Sequence, residues 1–251
     1  MASLVDLVHQ NVIVSSSSLH GNGVYVKNVV NKDEQLFCEV PLHFLQSLPN
    51  RSHTLVCGSC SKFLGSVGLQ IGYLQGHLTR NDIMLGVVGD SPQYEFLSDI
   101  VPCGSCCGEL YCSEICQNAH FVCGGHKYLC TGNIGDEEAM DHPLIKFKIF
   151  AVETNEIFLM IADIIARALS FAEEVDGSVD FQKLSTYMSK YETFVRNIWW
   201  EAIKTPKKQV PSKFRKTLQK LVKDTSSHLD SVFNLTAKGL STILGEEWIA
   251  R

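Results

Sequence analysis

Seven of the ten cysteines fall between Cys103 and Cys130, with His120 and His126 among them. A further CxxC, Cys57 and Cys60, stands upstream without a second pair beside it. In chain order the pairs are Cys57/Cys60, Cys103/Cys106, Cys112/Cys116 and His126/Cys130. Eight soft or borderline ligands match the demand of two tetrahedral zinc ions. Each CxxC turn offers two thiolates to one ion and needs a second pair from elsewhere, so four pairs make two sites. Disulfides would also use an even cysteine count. However, the first ten residues carry Asp6 and His9 instead of an apolar leader, which points to a reducing compartment, nucleus or cytoplasm. Three nearby residues compete for ligand roles: Cys107 with Cys106, and His120 or Cys123 with His126. Their other fates are a small buried thiol or a donor behind the ligands. Cys38 alternates with Leu36 and Val40, as a core thiol does.

The chain of 251 residues is 45% hydrophobic and 20% charged, an ordinary globular composition with room for one sizeable core and a small module. A net charge of -5 gives no global pull toward nucleic acid. No apolar run approaches the ~18 residues that span a bilayer; the most apolar stretch, 157–169, is broken by Asp163 and Arg167.

An α+β fold is expected. Asn11 to Val14 reads as a short strand, and Val24 and Val26 alternate about Tyr25 as in a half-buried one. Asn31 to Glu34 is a turn cluster, after which Leu36, Cys38 and Val40 resume the alternation until Pro41. The result is a small N-terminal β-meander with a Gly21-Asn22-Gly23 turn. That turn is not a dinucleotide fingerprint, since no third glycine and no helix follow it. Residues 61–102, rich in glycine, read as an irregular excursion with one short strand and no chemistry of its own. An acidic linker, 132–141, leads into helices. Asn155 caps one that carries Ile157, Ile161, Ile164, Ile165 and Ala168 at helical spacing. A second covers 181–203, a third starts at Ser212, and a fourth runs from Ser227 toward Leu244. Trp199 and Trp200 read as core packing before a peptide-binding pair. The stretch Lys204–Lys223 holds eight lysines and arginines and no acid. It is either a solvated helix face or a contact to nucleic-acid phosphates.

The segment YCSEICQ (Tyr111 to Gln117) followed by HKYLC (His126 to Cys130) resembles a MYND finger. The whole order resembles the SET-and-MYND family of protein-lysine methyltransferases: strand, GxG, strand, charged turn, strand, then finger. There the finger is inserted in a split SET domain. The long 61–102 insert is most similar to the branch that includes the plant trithorax-related SET–MYND proteins. The resemblance implies one zinc on Cys57, Cys60, Cys112 and Cys116, and another on Cys103, Cys106, His126 and Cys130. It also implies S-adenosylmethionine beside the backbone of Gly21, Asn22 and Gly23, and a histone or other protein substrate. The expected organisation is partial SET strands over 1–56, the finger over 57–130 and a helical SET insert over 131–251.

The family's Asn-His-Ser-Cys motif, lysine-channel Tyr and post-SET cysteines have no counterpart here. There is no Asn-His dipeptide and no cysteine after Cys130. Gly245-Glu246-Glu247 matches the family's GEE phrase by letters only. The chain therefore resembles the first half of such an enzyme and is expected to be inactive alone. Within the resemblance, the competing expectation is a zinc-dependent interaction module that binds proline-rich peptides.

Overall fold

The computed structural model describes residues 12–18, 21–37, 41–86, 100–191, 197–235, 239–241 and 244–250. They form two compact units, Met1–Leu42 and His43–Arg251.

In the first unit, β1 (Val12–Ser17) pairs antiparallel with β2 (Gly21–Val26), from Val12 opposite Val26 to Ser17 opposite Gly21. The charged turn is present: Glu34 N donates to Asn31 O at 3.2 Å, and the Glu34 side chain accepts from Asn31 N at 2.9 Å. Two expectations change here. Leu36 and Phe37 are not strand, and Cys38 to Val40 lie outside the described residues. The alternation of Val24 and Val26 does not give a half-buried face either, because Ile13, Val14, Val24, Tyr25 and Val26 are all exposed. A two-stranded ribbon has no covering layer of its own, which also makes it marginal in isolation.

The second unit contains two hydrophobic cores. The smaller belongs to the finger and gathers Leu55, Leu64, Leu69, Leu110 and Tyr111, all at 1% exposure or less. The insert, expected to be irregular, contributes two helices to it, α1 (Val67–Leu74) and α2 (Arg80–Met84). Their start signals are local. Ser66 accepts from Leu69 N, and Thr79 with Asp82 forms a capping box. Gly65 and Gly76 sit outside the ends of α1 at φ +70° and +75°, so the glycines punctuate the helix more than they oppose it. Two-residue strands β3 (Val101–Pro102) and β4 (Leu110–Tyr111) follow, then α3 (Glu114–Val122) and α4 (His126–Leu129).

The larger core is helical. The expected acidic linker contains α5 (Asp136–Asp141), whose first turn holds Asp136, Glu137 and Glu138, where carboxylates suit the helix dipole. Next come α6 (Pro143–Thr154) and α7 (Ile157–Ala172), with Asn155 Oδ1 accepting from Ile157 N as expected. The helix expected over 181–203 is broken into α8 (Phe181–Met188), a 3-10 turn at Ser189–Tyr191, and α9 (Trp199–Ala202). Conversely, the third and fourth expected helices are one, α10 (Pro211–Phe233), entered with Pro211 in its first turn and left at Asn234 with φ +51°. Gly245 precedes α11 (Glu246–Ala250), so its GEE phrase opens a short helix. Phe147, Phe158, Leu169, Leu184 and Leu229 fill this core. Each such side chain contributes roughly 1.5–3 kcal/mol by burial. Trp199 meets Phe158 edge-on at 6.0 Å, as a packing residue does.

Candidate metal centres

Two chain reversals set up the clusters. In the first, Cys57 N donates to Lys62 O at 2.8 Å and Ser61 N to Cys57 O at 2.9 Å, so Cys57 and Cys60 face one point. The buried Gln70 of α1 clamps both legs of this knuckle. Its amide accepts from Leu55 N at 3.0 Å and donates to Leu55 O and Leu64 O, each at 2.8 Å. In the second reversal, Cys103 N donates to Glu109 O and Cys106 N to Cys103 O. This tighter turn puts Cys106 in the left-handed region at φ +55° and leaves its side chain exposed. Arg80 of α2 fixes the end of the turn by donating from Nε to Gly108 O. The insert thus supplies the props of both knuckles.

The second ligand pairs come from helix ends. Ser113 caps α3 by accepting from Cys116 N, which orients Cys112 and Cys116 together. Gly125 starts α4 at φ +76°. A Cβ there would lie 2.6–2.7 Å from backbone and side-chain atoms of Ala166 and Arg167 on α7. Only glycine permits both the left-handed turn and that approach, and the pair fixes the buried His126. Gly125→Ala is expected to cost several kcal/mol, from φ strain and overpacking of ~1–3 kcal/mol each, and to release the metal held through His126. Thermal unfolding combined with zinc counting checks this.

Cys57, Cys60, Cys112 and Cys116 bring one ligand atom each to within 4.8 Å of one another, and so do Cys103, Cys107, His126 and Cys130. Cys60 and Cys116 both lie 3.6 Å from Cys112, sulfur to sulfur. Cys103 Sγ is 3.8 Å from Cys130 Sγ and 3.4 Å from His126 Nε2, and Cys107 Sγ is also 3.4 Å from that nitrogen. Sulfurs ~2.3 Å from a central zinc stand about 3.8 Å apart in a tetrahedron. A disulfide would need ~2.05 Å. The donors therefore fit zinc and do not fit disulfides. Cys107 takes the place expected for Cys106, because the left-handed turn residue faces solvent and its neighbour faces in. His120 and Cys123 stay outside both clusters. His120 accepts or donates at Tyr111 OH, 3.1 Å away, and stacks on His126 with ring centroids 4.9 Å apart. Cys123 is exposed.

Burial, then the crowding of neighbouring thiols, pushes Cys112 up to about 12, and burial raises Cys107 further. Crowded protonated thiols give up their protons when a cation arrives. Burial, with His120 beside it, drops His126 to about 4, which keeps its imidazole in the neutral form that binds metal. A cavity of about 110 Å³ lies against Cys57 and His126, lined also by Arg51, Glu109, Lys148 and Asp163. Burial alone would raise the Glu109 carboxyl; its partner Arg51, with Arg80 behind, holds it at about 2. Burial lowers Lys148, and Arg51 adds to that.

The glycine turn lies in the other unit. Gly21 has φ +72° and no atom of the described residues within 4 Å of where a Cβ would stand, while a Cβ on Gly23 would press on Tyr25 at 3.0 Å. Gly21, Asn22 and Gly23 pair with Ser17, Ser16 and Ser15 at the start of β2, accessible to solvent.

No family model matches the sequence, and no solved structure matches it. It is 26% identical over 247 residues to the histone-lysine N-methyltransferase ATXR2 of Arabidopsis thaliana, covering 77% of this chain and 52% of that protein. The chain thus spans about half the length of the curated relative it matches. It is a distant relative of a histone-lysine N-methyltransferase, with seven of its cysteines and His126 gathered into two four-ligand clusters of zinc geometry.

Proposed function

We propose that this chain is a SET–MYND-type member of the S-adenosylmethionine-dependent protein-lysine methyltransferases, with a histone or other protein as substrate. The observation that carries the reading is the similarity to a histone-lysine N-methyltransferase over 77% of the chain. The two clusters of zinc geometry support it, in the ligand order of a MYND finger. In this reading the backbone of Gly21, Asn22 and Gly23 lines the cofactor, and the absent side chains allow close approach. Zinc supplies cross-links, and the chain's own residues hold the frame around it. Methyl transfer needs a deprotonated amine aligned with the sulfonium. The chain carries no recognisable element for that alignment, so transfer by it alone is not part of the proposal.

Native mass spectrometry with and without S-adenosylmethionine tests the reading. Two zincs plus a cofactor adduct, lost in Gly23→Val, are expected. Two zincs without an adduct would overturn the cofactor assignment. One observation favours a second reading, a zinc-dependent protein-interaction module for proline-rich segments. Ile115, Phe121 and Val122 of α3 are 80%, 42% and 59% exposed on the finger. Under it, a proline-rich peptide binds and Ile115→Asp abolishes binding.

A further inference from the structure

The stretch 204–223 carries eight of the chain's 22 lysines and arginines, and all eight are exposed. None of them forms an ion pair among the described residues. Four, Lys213, Lys216, Lys220 and Lys223, lie on α10 at steps of three, four and three. At 100° per residue they fall within about 80° of the helix circumference and extend over about 15 Å. The buried side chains Leu218, Val222, Thr225 and Leu229 occupy the opposite side, against the helical core.

An ordinary solvated face interleaves acids with lysines, because i,i+4 pairs of opposite sign stabilise a helix and like pairs destabilise it. From Lys213 to Lys223 no acid is interleaved; the first acid, Asp224, closes the row four residues after Lys220, while Lys216 and Lys220 are a like pair at i,i+4. Lys213 also stands in the first turn, which contains no acidic residue, where the helix dipole disfavours cations. The arrangement opposes helix stability twice over, in a chain whose remaining charge is strongly negative. An anionic partner would relieve both penalties.

We infer that this face of α10, with the basic loop before it, is a docking surface for the phosphates of double-stranded nucleic acid. No large apolar side chain of α10 is exposed, so the surface lacks the insertion face of a membrane-lying helix. The helix face also lacks an exposed aromatic or large apolar anchor of the kind that carries protein–protein interfaces, the exposed Val210 lying in the loop before it. Phosphate contacts need neither; a row of cations suffices, and affinity follows counterion release. The inference is independent of the methyl-transfer reading.

The test is fluorescence anisotropy with a labelled duplex DNA of about 24 base pairs and the zinc-loaded full chain over a salt series. Substituting Lys213, Lys216, Lys220 and Lys223 together by Gln is expected to weaken binding about tenfold or more at low salt. It should also reduce the slope of log K against log salt by about 3–4, at roughly 0.9 per lost phosphate contact. The same four lysines changed to Arg should retain binding. Zinc content and far-UV circular dichroism should be unchanged in both variants, since the side chains are exposed. The inference is overturned if the parent fails to bind duplex at low salt, or if the Gln variant binds as the parent does. Tighter binding of phosphatidylserine vesicles or polyglutamate than of duplex through these lysines would overturn it too.

Discussion

Stripping zinc from the chain with a chelator is expected to unfold the finger. Structural zinc contributes ~10–16 kcal/mol per site in finger peptides, against a whole-domain stability of about 5–15 kcal/mol. The finger core is small and Cys57 and Cys103 are part of it, so ligand loss and core loss coincide. Amide exchange over 55–64 and 100–130 should rise to near the unprotected rate after chelation. A finger that stays protected would refute the assignment. Single substitutions sharpen it. Cys107→Ser and Cys112→Ser should each reduce the zinc count from two to one, while Cys106→Ser should keep both. Loss of zinc in Cys106→Ser with retention in Cys107→Ser would reverse the geometry described for the second knuckle.

Asp163→Ala should produce the largest loss away from the ligands. This residue is 2% exposed in the middle of α7. Its Oδ2 meets His43 Nδ1 at 2.6 Å and accepts from Arg167 Nε at 2.8 Å, while the other ring nitrogen of His43, Nε2, is held by the Tyr191 hydroxyl. Removing the carboxyl strands a guanidinium and an imidazole together. Breaking a buried pair in this way costs ~3–5 kcal/mol. Asp163→Asn, which keeps one acceptor, should cost less. Denaturant midpoints at constant slope measure the difference, and equal stability of Asp163→Ala and the parent would exclude the network from the stability of the unit.

The metal centres were legible because ligand spacing is a local property. Pairs such as Cys112/Cys116 sit on one helix start and are visible as letters, whereas the choice between Cys106 and Cys107 depends on which residue takes the left-handed turn. Resemblance supplied the partition between the two sites. Gln70 gave no sign of its structural role, since one amide in a glycine-bearing insert becomes a clamp only when Leu55 and Leu64 fold against it. Asp163 looked like an interruption of an apolar run, and its partner His43 lies 120 residues away. Helix boundaries failed where punctuation was misread. Ser227 continued α10 instead of starting a helix, and the acids of 136–141 favoured a helix start, not a linker. The N-terminal alternation predicted burial that a two-stranded ribbon cannot supply by itself.

The two clusters interlock along the chain: the first joins Cys57/Cys60 to Cys112/Cys116, and the second joins Cys103/Cys107 to His126/Cys130. That order has a consequence for biosynthesis. Cys60 precedes Cys112 by 52 residues, and at a ribosomal rate of about 5–20 residues per second the first thiol pair waits roughly 3–10 s for its complement. An ion taken up as soon as Cys116 emerges is enclosed before His126 and Cys130 have emerged. The nascent chain is pinned once across its insert before the second pin closes over 103–130, a span that overlaps the first without lying inside it, so the order of the ligands along the chain sets the sequence in which this finger assembles.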